Sequence, residues 1–96
     1  MRYKLSNKTE QDLRLIYRYT QLKFGSLQAD TYLTCLDETL ELIANSPAIT
    51  QKVDDIRTGY QRYLYQEHAI FFIKKNKHMY VVRVLHQQMK VQLHLG

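Results

Sequence analysis

Five side chains in the second half of this sequence have the types that phosphate binding and acid–base chemistry draw on: Arg57, Arg62, Glu67, Arg83 and His86. A guanidinium presents planar, paired donors that match a carboxylate or a phosphate. A carboxylate and an imidazole can take and return a proton near neutral pH. Arg83 stands out because it interrupts the apolar run "YVVRVLHQQM" at residues 80–89 with a permanent charge. Strand alternation would set Tyr80, Val82, Val84 and His86 on one side and Val81, Arg83 and Leu85 on the other. If the valines at 82 and 84 face a core, Arg83 looks out from the opposite sheet face. There it can share a basic surface with Arg62, with Arg57 preceding the same strands and Tyr60 and Tyr63 adding aromatic area. The competing reading is an internal ion pair of Arg83 with Asp54, Asp55 or Glu67. Glu67 falls in a turn with no evident neighbour to raise its pKa. His86, on the valine side at a strand end, reads most simply as a hydrogen-bonded structural histidine.

The elements that must position these residues follow from periodicity. "RYKLS" alternates and predicts a first strand. Leu13, Ile16, Tyr17, Thr20 and Phe24 recur at helical spacing after Asn7 and Thr9, either of which can cap. Gly25 predicts the end of that helix, and Ser26 a cap for a second one with the stripe Ala29, Leu33, Leu36, Leu40 and Ile43. Pro47 marks its stop. So tight a connection predicts an antiparallel helix hairpin. "GYQRYLYQ", "HAIFFIKK" and "HMYVVRVLH" then alternate, separated by "QE" and "KNK", and predict a three-stranded antiparallel meander. The sum is a two-layer α+β fold, expected as one unit over residues 1–96 without linkers or repeats. The first helix is apolar on two sides, since Leu15, Tyr19 and Leu22 lie nearly opposite the main stripe. That second side packs inside the fold or is a surface for a partner's amphipathic segment.

Charge is uneven. Residues 1–50 carry six Lys or Arg against six Asp or Glu, whereas residues 51–96 carry eight against three, so the second half holds the whole net charge of +5. All four histidines, His68, His78, His86 and His94, are there too. Such asymmetry suits nucleic acid, an acidic protein, or a nucleic-acid-bound enzyme. No stretch has the length and apolarity of a membrane span, and "MRYKLSNKTE" lacks the apolar segment of a signal peptide, so a cytoplasmic protein is expected. The single Cys35 builds no disulfide framework, lacks the basic neighbours that would activate a thiol, and agrees with a reducing compartment. No Cys, His and carboxylate cluster has metal-ligand spacing, and no cofactor is expected.

The order and spacing of "YKLSNKTEQDLRLIYRYTQLKFGSLQADTYLTCL", "LIANSPAI", "IRTGYQRY", "HAIFFI" and "VVRVLHQQM" resemble the ParE toxins of bacterial toxin–antitoxin modules, within the RelE/ParE superfamily. The resemblance covers about residues 3–90. It implies the same strand, hairpin and meander topology, a ParD-like antitoxin, and DNA gyrase as the toxic target, whose cleaved-DNA intermediate such toxins trap. Two departures are visible: Tyr60 is followed by Gln61 before Arg62, where two basic residues are common, and Met89 is followed by Lys90, where an acid is common.

On this reading the expected target surface comprises Arg57, Tyr60, Arg62, Arg83, Met89 and Lys90, and the antitoxin surface Leu15, Tyr19 and Leu22. Toxicity would then involve no covalent chemistry, and no catalytic residue is expected. The RelE branch supplies the enzymatic alternative, cleavage of ribosome-bound messenger RNA. That reaction needs an activated 2′-hydroxyl, cations for a crowded phosphorane and an acid for the leaving oxygen. Glu67 as base, Arg83 as cation and His86 as acid would be its set. A third alternative is an inactive toxin that only binds its antitoxin.

Overall fold

The computed structural model describes residues 2–88 and Leu95. The chain runs β1 (Arg2–Leu5), α1 (Asn7–Phe24), α2 (Ser26–Asn45), a 3-10 turn (Pro47–Ile49), β2 (Gln51–Lys52), β3 (Tyr60–Tyr65), β4 (His68–Lys75) and β5 (His78–His86). The strands form one sheet in the order β1-β5-β4-β3-β2. β1 pairs parallel with β5, and every other pairing is antiparallel. The α+β fold, the hairpin and the meander are as the periodicity predicts. The two-residue β2 is an addition, too short to show any alternation.

Local chemistry explains the boundaries. Ser6, rather than Asn7 or Thr9, caps α1: its hydroxyl oxygen accepts the Thr9 N–H at 3.0 Å and donates to the Val82 carbonyl at 2.9 Å. One residue thus ends β1, starts α1 and ties the helix to β5. Thr9 is fully buried, and its hydroxyl donates to the Val81 carbonyl. Gly25 closes α1 with φ +96°, a backbone region that favours glycine. Gly25 also occupies the N-cap position of α2, which has no side-chain cap; Ser26 is the first helical residue and instead accepts a hydrogen bond from Gln21. The two hairpin turns of the meander carry positive φ at Gln66 and Asn76. Asparagine suits that geometry, whereas glutamine there is uncommon.

The helices cover one sheet face. Leu36, Leu40, Ile43 and Ala44 of α2 meet Ile70, Phe72, Met79, Val81 and Val84, with Leu13 and Ile16 of α1 at the margin. The opposite face holds a smaller cluster of Val53, Ala69, Phe71, Leu85 and Leu95, flanked by Ile56, Tyr60 and Val82.

A β-bulge in β5 corrects the simple alternation. Phe71 pairs with Arg83 but Phe72 pairs with Val81, so Val82 is the extra residue. In consequence Val81 and Val84 both join the helix-side core, while Val82 packs on the other side. Val82 and Val84 therefore do not share a face.

Candidate functional site

Arg83 lies on β5 beyond the point where β1 stops pairing, beside the first turns of α1. Its Nε donates to Asp12 Oδ2 and its Nη2 to Asp12 Oδ1, both at 2.8 Å. Asp12 Oδ2 also accepts the Val84 N–H at 3.1 Å. One carboxylate thus closes a guanidinium fork and satisfies a strand-edge donor that β1 leaves open. The side chains are 16% and 10% exposed. The Asp12 hydrogen bond outweighs the opposing effect of burial and holds the Arg83 pKa above its ordinary value. The internal partner of Arg83 is Asp12, therefore, and not Asp54, Asp55 or Glu67. Register still sets Arg62 and Arg83 on either side of Phe71 across β3, β4 and β5, so the two arginines share a row as expected.

The remaining basic residues expected at a target surface are distributed as follows. Arg57 is exposed; its Nη1 donates to the Leu95 carbonyl at 2.6 Å, and its guanidinium lies 5.6 Å from the Tyr60 ring centre. Half-buried Arg62 donates from Nη2 to Gln51 Oε1, and its buried Nε has no hydrogen-bond partner among the described residues. Met89 and Lys90 lie outside the described residues.

Glu67 and His86 do come together. His86 Nε2 lies 3.8 Å from Glu67 Oε2, with side chains 37% and 83% exposed. His86 Nδ1 accepts the Gln88 N–H. His68, the cross-strand partner of His86, places its ring 5.6 Å away, edge to face. The Tyr32 hydroxyl of α2 lies 2.8 Å from His68 Nδ1. Burial, then the nearby His86, lowers the His68 pKa. Burial likewise pushes the Tyr32 phenol upward. A neutral His68 accepting from Tyr32 satisfies both groups. Periodicity gave no sign of this cluster, because Tyr32 and His68 belong to different layers.

Glu67, His68 and Tyr32 of this cluster line an open groove of about 590 Å³, together with Tyr19, Phe24 and Leu27. The second apolar side of α1 is exposed, with Leu15 at 69%, Tyr19 at 59% and Leu22 at 79%. Phe24, placed on the inner stripe by periodicity, is also exposed at 56% because it lies past the sheet, at the hairpin tip. Leu27, at the start of α2, extends the same surface. Among the described residues no group of His, Cys, Asp and Glu could hold a metal, and no helix is long and apolar enough to cross a membrane.

A small antiparallel meander carrying a helix hairpin, with a basic sheet and an uncovered apolar helix side, defines a RelE/ParE-like class of protein. Comparisons with known proteins narrow it. Residues 3–91 match the family described as the ParE toxin of the type II toxin–antitoxin system, parDE. Toxin ParE1 of Caulobacter vibrioides is 35% identical over 94 residues, covering 98% of this chain and 97% of its own. Toxin ParE1 of Mycobacterium tuberculosis H37Rv is 35% identical over 95 residues, with the same coverage. A solved structure titled as a chromosomal ParDE system from P. aeruginosa has the same fold, with a TM-score of 0.78 at 17% identity over 90% of this chain and 95% of that one. The chain belongs to the ParE toxin family of type II toxin–antitoxin systems.

Proposed function

We propose that this ParE toxin acts without covalent chemistry, by binding DNA gyrase in the state that holds cleaved DNA and prolonging that state. A toxin working this way needs preferential affinity for one conformation of its target and no acid or base. The observation that favours this reading over RNA cleavage is the closed Arg83–Asp12 fork. A phosphorane-stabilising arginine must present its donors to the substrate, and the paired Nε and Nη2 donors of Arg83 are directed to an internal carboxylate. Glu67 and His86 remain as a solvent-exposed pair, which is a poor setting for general acid–base work.

The decisive experiment incubates the purified protein with gyrase and supercoiled plasmid and, in parallel, with translating ribosomes. Accumulation of protein-linked, cleaved plasmid is the expected result. Cut messenger RNA with intact plasmid would establish the ribonuclease, and inactivity in both assays would leave an antitoxin-binding module.

A ParD-like antitoxin would cover the exposed side of the hairpin with an amphipathic segment, burying Leu15, Tyr19 and Leu22. Replacing Tyr19 and Leu22 together by Ser should weaken that complex at least tenfold while leaving the melting temperature of the free toxin nearly unchanged. A loss of several kcal/mol of stability would place those side chains in the core instead.

A further inference from the structure

Four exposed cations, two from each half of the chain, gather at a place the candidate target residues do not include. At the end of the sheet where β1 begins, Arg2 of β1, His78 of β5 and Lys75 of β4 stand in one cross-strand row. Two residues further along the strands, on the same face, come Lys4, Tyr80 and Ile73. This face is the one turned away from the helices, since Tyr3, Leu5 and Met79, which alternate with these residues, pack into the helix-side core. Lys77 adds a further exposed cation in the adjoining β4–β5 turn.

Arg2, Lys4, Lys75 and Lys77 are exposed, and His78 and Tyr80 are half-buried. Among the described residues the ion pairs are Arg83–Asp12 and His86–Glu67, so no carboxylate lies within pairing distance of these cations. On the helix side of the sheet, Glu41 of α2 shares a cleft with Arg2 and Tyr3, and Asp37 accepts a hydrogen bond from the Tyr3 hydroxyl. Strands 4.8 Å apart set the cations on a lattice whose rows span about 10 Å, close enough to act on one polyanion.

We infer that this face of β1, β5 and β4 is a phosphate-backbone contact surface for duplex DNA, with Arg2, Lys4, Lys75 and Lys77 as its cations. Charge complementarity selects a polyanion. The groups left to meet it are the exposed Lys and Arg cations, which address backbone phosphates, while the Tyr80 ring is engaged: the Lys4 ammonium lies 6.0 Å from the Tyr80 ring centre, and the His78 ring is tilted against it at 6.3 Å. The binding is therefore sequence-independent and strongly salt-dependent. The choice of duplex DNA over RNA rests on the gyrase reading, in which the bound enzyme presents a DNA segment beside the toxin.

The test measures anisotropy of a labelled 20-base-pair duplex with the purified toxin between 50 and 200 mM salt, with no gyrase present. Four phosphate contacts give an affinity that falls about a hundredfold over that range. The variant carrying Lys4→Gln, Lys75→Gln and Lys77→Gln should lose about 2.7 from the slope of log affinity against log salt. A control carrying Lys8→Gln, Arg14→Gln and Arg18→Gln, three exposed α1 positions with the same change of charge, should keep the slope within about 0.5. Circular dichroism checks that both remain folded. Absence of wild-type binding at 50 mM salt, equal losses in the two variants, or tighter binding to an RNA hairpin or to polyglutamate of equal charge would each overturn the assignment. The gyrase assay separates the two layers of inference. A wild type that binds duplex but never traps gyrase defeats the gyrase reading and spares the surface. Trapping by the sheet variant at the wild-type level, with its duplex binding lost, defeats the role of the surface in trapping.

Discussion

Arg83 and His86 lie three residues apart on β5, and each faces a carboxylate, yet the two pairs are different objects. Arg83 and Asp12 meet through two hydrogen bonds at 2.8 Å with both side chains largely withdrawn from water, and Asp12 also accepts a backbone N–H. His86 and Glu67 stand 3.8 Å apart in solvent, and Glu67 is 83% exposed. Burial and a shared third group make the first pair part of the fold. Water screens the second and leaves it expendable. Residue types alone nominate Glu67, Arg83 and His86 as one set; geometry assigns Arg83 to the joint between α1 and β5 and leaves the other two together at the surface, with Glu67 lining the groove.

Removing Asp12 should have the largest effect. Asp12→Ala strands a guanidinium and the Val84 N–H at a largely buried site, which costs roughly 3 kcal/mol. Urea unfolding at pH 7 measures it, and a loss below about 1 kcal/mol would mean that the pair is no more structural than its solvent-exposed counterpart.

Arg83→Lys asks whether charge or geometry matters. Lysine keeps the charge, loses the two-pronged contact, and should cost about 1 to 2 kcal/mol. A double-mutant cycle combining Arg83→Met with Asp12→Ala should return a coupling energy of about 2 kcal/mol. Additive effects would show that the two side chains act separately.

Titration probes the cluster beside the exposed pair. The folded-state pKa of His68 lies below its ordinary value of 6.5 because burial and the neighbouring His86 both oppose its charge. The unfolded chain therefore takes up the proton more readily than the folded one. The stability this provides is complete above about pH 6.5 and is lost as the pH falls through the lower, folded value. The melting temperature should fall on going from pH 8 to pH 5, and His68→Gln should flatten that decline. Arg83, its pKa raised, stays charged through this range. A pH profile unchanged by His68→Gln would detach the groove cluster from stability.

The contrast also explains what the sequence shows and what it hides. Periods of 3.6 and 2 mark the hairpin and the meander because each buries one face against the other, so burial writes itself into the residue pattern. The Val82 bulge leaves no such mark, since valine suits either face. Asp12 gives a faint signal: Thr9, Asp12 and Ile16 keep the spacing of the inner stripe, and a lone acid there needs a buried cation or N–H. Seventy-one residues separate it from Arg83, and no local pattern spans that distance. The cap at Ser6 is hidden for a similar reason, because its advantage over Asn7 comes partly from the Val82 carbonyl on a distant strand.

The smallest effects should come from the exposed pair, and they bear most directly on chemistry. Glu67→Gln removes one charge from a side chain already in water and should change stability by less than about 0.5 kcal/mol. His86→Gln keeps a hydrogen-bonding group near the Gln88 N–H but removes the imidazole that the ribonuclease reading uses as its acid. If the toxin acts by binding, both variants should still arrest growth at wild-type expression levels and still accumulate cleaved plasmid with gyrase. A ribonuclease using Glu67 as base and His86 as acid would lose activity by two or more orders of magnitude in either variant while remaining folded. Such a loss, with the melting temperature unchanged, would move function to the solvent-exposed pair. Retained toxicity in both variants, beside the large stability loss of Asp12→Ala, would show that the exposed pair performs no chemistry and that the buried one holds the fold.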